Sequence, residues 1–257
     1  MLEITIATRS ELGQRERNED KVRVGRDGEL WLAVLADGAG GHRGGAEAAR
    51  RAVDQIETSL HDAVPRFSAE SLTKAVLSAH VQVQLNQCQA EGFNRMHSTV
   101  VALWIDGARN RVLWSHVGDS RLYRARRGTL SLLTADDSVV QRMVDAGLLT
   151  PQQAETHPQK NQLIAALGID DGVEPHTAPN PVRLEEGDAF LLCSDGWWGS
   201  LDESCILDTL ADASEADDWL ASMQRRIEAR AVPRQDNFSA IGVWVGDPAQ
   251  ATRPMLS

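Results

Sequence analysis

Apolar runs of strand length that meet an acidic turn recur along these 257 residues, and they constrain the fold more than any other feature. Leu30–Leu35 is a near-continuous apolar run leading into Asp37-Gly38, and the buried-looking run Ala189–Ser194 leads into Asp195-Gly196. Glu3–Thr8 alternates polar and apolar residues as a half-buried strand does, and Phe238–Val245 follows Asp236-Asn237. Between these runs lie segments of helical period. Gly44–Leu60 carries Ala48, Ala52, Val53, Ile56 and Leu60 on one face, and Ser68 to about Gln89 carries Leu72, Ala75, Val76, Ala79 and Val83. Ser68, with Ser71 three positions on and Pro65 upstream, supplies capping chemistry for the second helix.

The middle of the chain reads as hairpins. Thr99–Ile105 and Arg111–Val117 flank a loop at Asp106–Asn110, and a third strand, Arg121–Arg126, follows the tight Gly118-Asp119-Ser120 turn. Ser138–Leu149 predicts a short amphipathic helix ending at Gly147. Thr150–Gln162, polar and broken by Pro151 and Pro158, reads as a surface excursion, and Glu174–Pro181 as a Pro-rich connector. Helices are expected around Glu203–Leu210 and Ala216–Ala229. Few βαβ crossovers occur in this order, so the expected class is α+β, a sandwich of antiparallel sheets with helices layered outside. One domain is expected over residues 1–246, with 247–257 as a flexible tail.

With 37 acidic against 26 basic residues the formal charge is −11, which opposes a nucleic-acid surface and suits a protein that collects divalent cations. Cys88, Cys193 and Cys205 are odd in number and show no C-x-x-C spacing, so neither a disulfide framework nor a zinc cage is signalled. No apolar run approaches the roughly 20 residues that span a bilayer, and the chain is read as soluble and cytoplasmic, with no membrane partner.

Four acidic turns sit where apolar strands start or stop: Asn18-Glu19-Asp20, Asp37-Gly38, Ser194-Asp195-Gly196 and Asp236-Asn237. Each alone is ordinary turn chemistry. Converging, they make an all-oxygen site of the kind hard cations prefer, which implies magnesium or manganese. The seven histidines are scattered and no H-E-x-x-H occurs, so nothing offers thiolate or paired imidazole ligands at the spacing zinc would want. Crowded carboxylates repel one another unless cations neutralise them, which makes such a cluster costly as mere structure.

These residues carry a family resemblance. The chain resembles the protein phosphatase 2C family, its bacterial branch in particular, in R-x-R-N-E-D at Arg15–Asp20, D-G-A-G-G-H-x-x-G at Asp37–Gly45, S-T-V-V-A at Ser98–Ala102, G-D-S-R at Gly118–Arg121, S-D-G at Ser194–Gly196 and D-N at Asp236–Asn237. The motifs stand in family order and cover residues 3 to 245. The resemblance implies a four-layer α-β-β-α sandwich of two antiparallel sheets flanked by helices. It implies hydrolysis of phosphoserine and phosphothreonine in proteins by attack of a metal-bridging water, with two Mn2+ or Mg2+ ions and a weaker third.

By position, the resemblance makes Asp37 the carboxylate bridging two metals, with Asp20, Asp195, Asp236 and the Gly38 carbonyl as further ligands and Glu19 beside them. Asp119, with Asp195, would hold the third ion. Arg15 would grip the substrate phosphate with bidentate charge-assisted hydrogen bonds. Ala39 stands where members with D-G-H carry a candidate proton donor for the leaving oxygen, so His42 is the nearest substitute in the sequence, beside a metal-bound water. Asp137 replaces a histidine of the D-H-S stretch, and His97 stands where many relatives have glycine. Residues from about Val144 to Gln162 resemble the flap of bacterial members, which helps choose substrates.

Of the seven tryptophans, Trp31, Trp104, Trp114 and Trp244 fall inside predicted strands and are assigned to the core, while Trp197 and Trp198 would shape the floor of the site. His116 and His157 are assigned structural roles. The expected partners are a phosphorylated protein and the pathway of its serine/threonine kinase, with a monomeric chain, no nucleic acid and an association with type VI secretion drawn by analogy. The alternatives are a catalytically weak phosphoprotein-binding module and another two-metal hydrolase acting on nucleotides.

Overall fold

The computed structural model describes residues 2–39, 44–87, 96–169, 172–231 and 233–246. His42, Cys88 and the tail 247–257 therefore lie outside the described residues. The chain opens with β1 (Ile4–Glu11), β2 (Asp20–Asp27) and β3 (Leu30–Ala39), followed by helices α1 (Gly44–His61) and α2 (Ala69–Gln87). Next come β4 (His97–Ser98), β5 (Val100–Asp106), β6 (Arg111–Val117), β7 (Arg121–Arg126), β8 (Thr129–Leu132), α3 (Val139–Asp145) and α4 (Pro151–Glu155). The last third holds β9 (His176–Thr177), β10 (Val182–Arg183), β11 (Ala189–Cys193), α5 (Asp195–Trp198), α6 (Glu203–Asp212), α7 (Ala216–Ala229) and β12 (Phe238–Val245).

Two antiparallel sheets result, one ordered β1-β12-β11-β7-β8 and the other β10-β6-β5-β3-β2, with β4 on β3 and β9 on β6. Strand period assigns every central side chain to one of two apolar layers. In β3 and β5, Leu32, Val34, Ala36, Ala102 and Trp104 pack under α1 and α2, against Ala52, Ile56, Leu72 and Val76. The alternate residues Ala33, Leu35, Val101, Leu103 and Ile105 face the other sheet and meet Phe190, Leu192, Ile241 and Val243. On that sheet's far side Leu191, Ala240 and Trp244 pack against Trp219, Leu220 and Met223 of α7. Both faces of the central strands are thus apolar, which is why the runs read as continuous. The order of layers is α-β-β-α, as the resemblance implied. Truncating a fully buried member of the middle layer, such as Leu103→Ala, costs roughly 2–5 kcal/mol.

Ser68 caps α2 as expected, its Oγ accepting the Ser71 N–H at 3.1 Å. Several short elements escape the sequence pattern. The surface excursion contains α4, whose Thr150 and Gln153 form a reciprocal capping box. The Pro-rich connector contains β9, paired with β6 at Ser115 and His116. β8 returns on β7 through Arg127 and Gly128, both with positive φ. Trp104 and Trp244 are core residues, whereas Trp31 and Trp114 are only partly buried. Cys193 and Cys205 are buried free thiols. No described helix is long and apolar enough to cross a membrane.

Candidate metal centre

The acidic turns converge because the sheets present their ends together. Asp20, the first residue of β2, pairs in register with Asp37 of β3. β4 pairs Ser98 with Gly38, and the turn after β6 brings in Asp119. From the opposite sheet β11 leads directly into Ser194, the N-cap of α5, so Asp195 occupies that helix's first turn, while β12 starts just after Asp236-Asn237. Asp20 and Asp119 are buried, and Asp37 and Asp195 keep part of their surface open.

Motif residues that are not acidic hold this arrangement in place. Thr99 Oγ1 accepts the Asp37 N–H at 3.0 Å, Ser98 Oγ donates to the Asp37 carbonyl at 3.0 Å, and the Thr99 N–H donates to the same carbonyl at 2.8 Å. Thr99 Oγ1 also meets Ser120 Oγ at 2.7 Å, tying the Asp119 turn to β3. Ser194 Oγ donates to Asp20 Oδ2 at 2.8 Å and accepts the Ser239 N–H at 3.0 Å, which joins the two sheets. Asn237 Oδ1 accepts the Glu19 N–H, and its amide donates to the carbonyls of Leu12 and Arg17. Asn237 therefore fastens the Arg15–Asp20 loop to the start of β12. Trp198 Nε1 donates to the Asp119 carbonyl at 2.9 Å, and its ring lies 3.5 Å under the Arg121 guanidinium. The sequence flagged these positions as motif members, but their bracing roles depend on contacts across sheets.

Close approach explains the glycines. A Cβ on Gly38 would lie 2.1 Å from the Gly45 carbonyl oxygen and 2.8 Å from that of Glu19, so the start of α1 can abut the Asp37 turn only without side chains there. Gly118 has φ +96 and its Cβ would meet Thr99 at 2.7 Å, so the turn that delivers Asp119 demands glycine.

Electrostatically the cluster is frustrated. Burial, then the charges of Asp20, Asp195, Asp119 and Asp236, raise the Asp37 carboxyl well above its ordinary value. Burial also lifts Asp20 to about 7 against hydrogen bonds from Ser239 and Ser194, with Asp195 and Asp236 adding to the rise. Asp119 is lifted to about 8, first by burial and then by Asp195 and Asp136. Asp195 is raised by burial and by Asp236, and a hydrogen bond shared with the Asp37 carboxyl partly offsets this. Among the described residues no lysine or arginine ion pair reaches these four side chains; the neighbouring pair is Arg15–Asp236, Nη2 to Oδ2 at 2.6 Å. Asp20 Oδ1 is buried with no hydrogen-bond partner among the described residues. Carboxyls that raise one another's pKa and an orphaned carboxylate oxygen are what an all-oxygen cation site leaves when only its protein atoms are counted. The donor set fits hard divalent ions.

Arg15 and Glu19 lie in the loop that Asn237 fastens, and Arg15 is half exposed at the rim. Asp137 is not in the cluster; its Oδ2 accepts the Gly118 N–H at 2.9 Å, one residue before Asp119. The flap-like segment is anchored at its root by Val139 N–H to the Gln162 carbonyl and Ile164 N–H to the Asp137 carbonyl.

A two-sheet sandwich whose strand ends gather carboxylates that no ion pair among the described residues neutralises has the architecture of a divalent-cation-binding protein. Within that class the chain belongs to the protein phosphatase 2C family, whose family model matches residues 8–237. It is 36% identical over 211 residues to the serine/threonine protein phosphatase PstP of Mycobacterium tuberculosis, an overlap covering 81% of this chain and 39% of PstP. The chain thus spans about two fifths of that relative's length. It is 33% identical over 227 residues to the protein phosphatase PhpP of Streptococcus pneumoniae, covering 83% of this chain and 89% of PhpP. The solved catalytic domain of PstP, in complex with 2 manganese ions, superposes with a TM-score of 0.81 at 30% identity, covering 96% of this chain and 100% of that one. PppA, a key regulatory component of the type VI secretion system in Pseudomonas aeruginosa, superposes with a TM-score of 0.75 at 30% identity, covering 94% of this chain and 97% of PppA.

Proposed function

We propose that the chain hydrolyses phosphoserine and phosphothreonine esters in proteins at this centre. The convergence of Asp20, Asp37, Asp119 and Asp195, which no lysine or arginine ion pair among the described residues reaches, carries the reading. Mn2+ or Mg2+ would be held by Asp37, Asp20, Asp195, Asp236 and the Gly38 carbonyl, with Glu19 beside them, and a weaker third ion by Asp119 with Asp195. When bound, such ions supply a water activated near neutral pH and neutralise phosphoryl oxygens.

The chain's own residues supply the rest. Arg15, tethered at the rim through Asp236, offers a planar fork of donors that orients the phosphate for in-line displacement. Asp236 pairs Arg15 while standing beside Asp195, so it couples the phosphate grip to the carboxylate centre. Asp37 and Asp195, the more open members, face the incoming ester, while Asp20 and the serines behind it fix their spacing. Water is assigned the proton for the leaving oxygen, with His42, which lies outside the described residues, as the alternative donor in the sequence.

The proposed substrate is a protein phosphorylated by a serine/threonine kinase, met in the cytoplasm by a monomeric chain whose catalytic unit ends near residue 246. Similarity to PppA supports a place in type VI secretion. Phosphate release from a phosphothreonine peptide, with Mn2+, with Mg2+ and with chelator, tests the activity. Metal-dependent release that disappears in Asp37→Asn and Asp195→Asn is expected. No release by folded wild-type protein across several peptides and metals would instead favour a phosphoprotein-binding module.

A further inference from the structure

Away from the carboxylate centre, three side chains from separate elements meet at one edge of the seven-stranded sheet. His116 comes from β6, His176 from β9 paired beside it, and Asp137 from the segment before α3. One ligand atom from each lies within 4.8 Å of the other two. His176 Nε2 is 2.9 Å from Asp137 Oδ1, and the two imidazole rings stack with centroids 5.0 Å apart.

His116 carries a second and independent signal. The residue is buried, at 3% relative exposure, and its Nε2 is 2.8 Å from the Ala135 carbonyl oxygen. A carbonyl can only accept, so Nε2 carries the proton and Nδ1 keeps a bare lone pair. That Nδ1 is buried with no hydrogen-bond partner among the described residues. An imidazole fixed by a backbone carbonyl on one nitrogen and left open on the other has the second-shell arrangement of metal-ligating histidines. Burial holds the ring's pKa below the ordinary histidine value, so the lone pair is available at neutral pH. Asp137 is oriented likewise, its Oδ2 being occupied by the Gly118 N–H while Oδ1 faces His176. His176 is half exposed, which leaves a path for an ion and a position for water.

We propose that His116, Asp137 and His176 form a second metal site, distinct from the carboxylate centre and selective for Zn2+ or a similar borderline ion over Mn2+ and Mg2+. Two nitrogens and one oxygen are a donor set that hard ions disfavour and zinc accepts. An ion there ties β6 and β9 to the root of the flap-like segment, because the Asp137 carbonyl accepts the Ile164 N–H.

The site is tested by titrating Co2+, whose tetrahedral complexes absorb strongly in the visible, into the metal-free protein, followed by Zn2+ competition. Wild type and Asp37→Asn are expected to develop the tetrahedral band at one ion per chain, reversed by Zn2+. His176→Ala, a change at a half-exposed side chain, is expected to lose the band and about 100-fold in Zn2+ affinity while keeping Mn2+-dependent phosphate release. Absence of the band in wild type, or its persistence in His176→Ala, overturns the proposal. The readout is independent of phosphatase activity, so failure here and failure of the hydrolytic reading are told apart.

Discussion

Two groups of buried aspartates in this molecule live under opposite electrostatics. Asp188, 1% exposed at the start of β11, receives both donors of a bidentate Arg126, Nε and Nη2, at 2.6 Å, and the Glu185 N–H at 2.9 Å. Asp106, 2% exposed at the end of β5, takes Arg111 at 2.7 Å and the Arg109 N–H. Burial pushes Asp106 up, but the bonds from Arg111 and Arg109 outweigh it and leave the carboxyl below its ordinary value. Asp20, Asp37, Asp119 and Asp195, at the other end of the sheets, are pushed upward. The fold thus neutralises buried carboxylates with arginine where they serve structure. Where, among the described residues, no arginine ion pair reaches the carboxylates, as at Asp20, Asp37, Asp119 and Asp195, the negative charge is available to cations that arrive from outside.

The contrast can be broken at either end. Asp37→Asn should lower metal-dependent phosphate release by about 1,000-fold or more, the loss of several kcal/mol of charge stabilisation, without destabilising the metal-free protein; steady-state kinetics and a denaturant melt check both halves. Arg126→Met should do the reverse. It strands Asp188 and should destabilise the protein by about 3 kcal/mol, read in a urea titration, with little change in phosphate release per folded molecule.

Arg15→Lys keeps the charge but loses the planar fork, so kcat/KM on phosphopeptide should fall about 10- to 100-fold, with Mn2+ affinity nearly unchanged by calorimetry. The pH dependence of the metal-free protein sharpens the contrast most finely. Asp20 and Asp119 have folded values of about 7 and about 8 against about 3.9 unfolded, so the folded state binds extra protons. Their contribution is complete below pH about 4 and is lost as pH rises through about 7 to 8. Stability should fall over that window by up to about 1.4 kcal/mol per pH unit for each proton involved, and saturating Mn2+ should flatten the slope. A denaturant series from pH about 5 to about 8, with and without metal, measures it.

What was legible in the chain follows from the range of the forces involved. The central strands and four longest helices were readable because each buries a full apolar face at a fixed period, a property local in sequence. Asp37, Asp195 and Asp236 were readable because strand ends and turn chemistry mark them. β2 was not read as a strand: its buried pattern is diluted by Arg23, Arg26 and Asp27, and pairing with β3 decides it. β9, β10 and α5 are two to four residues long and exist through pairing or capping partners distant in the chain. His116 read as a structural histidine for the same reason, since nothing in the sequence places it beside Asp137 and His176. Trp198 was read as part of the site's floor, but its grip on the Asp119 carbonyl and Arg121 emerges only when α5 is seated.

Calorimetric titration of Mn2+ into chelator-stripped protein, wild type beside Asp37→Asn, bears on the carboxylate centre with no assumption about substrate. Two or more ions per wild-type chain, with at least two lost in the variant, are expected. Folded wild-type protein that binds no Mn2+, or a variant that binds as many ions as tightly, would contradict a cation centre at Asp20, Asp37, Asp119 and Asp195.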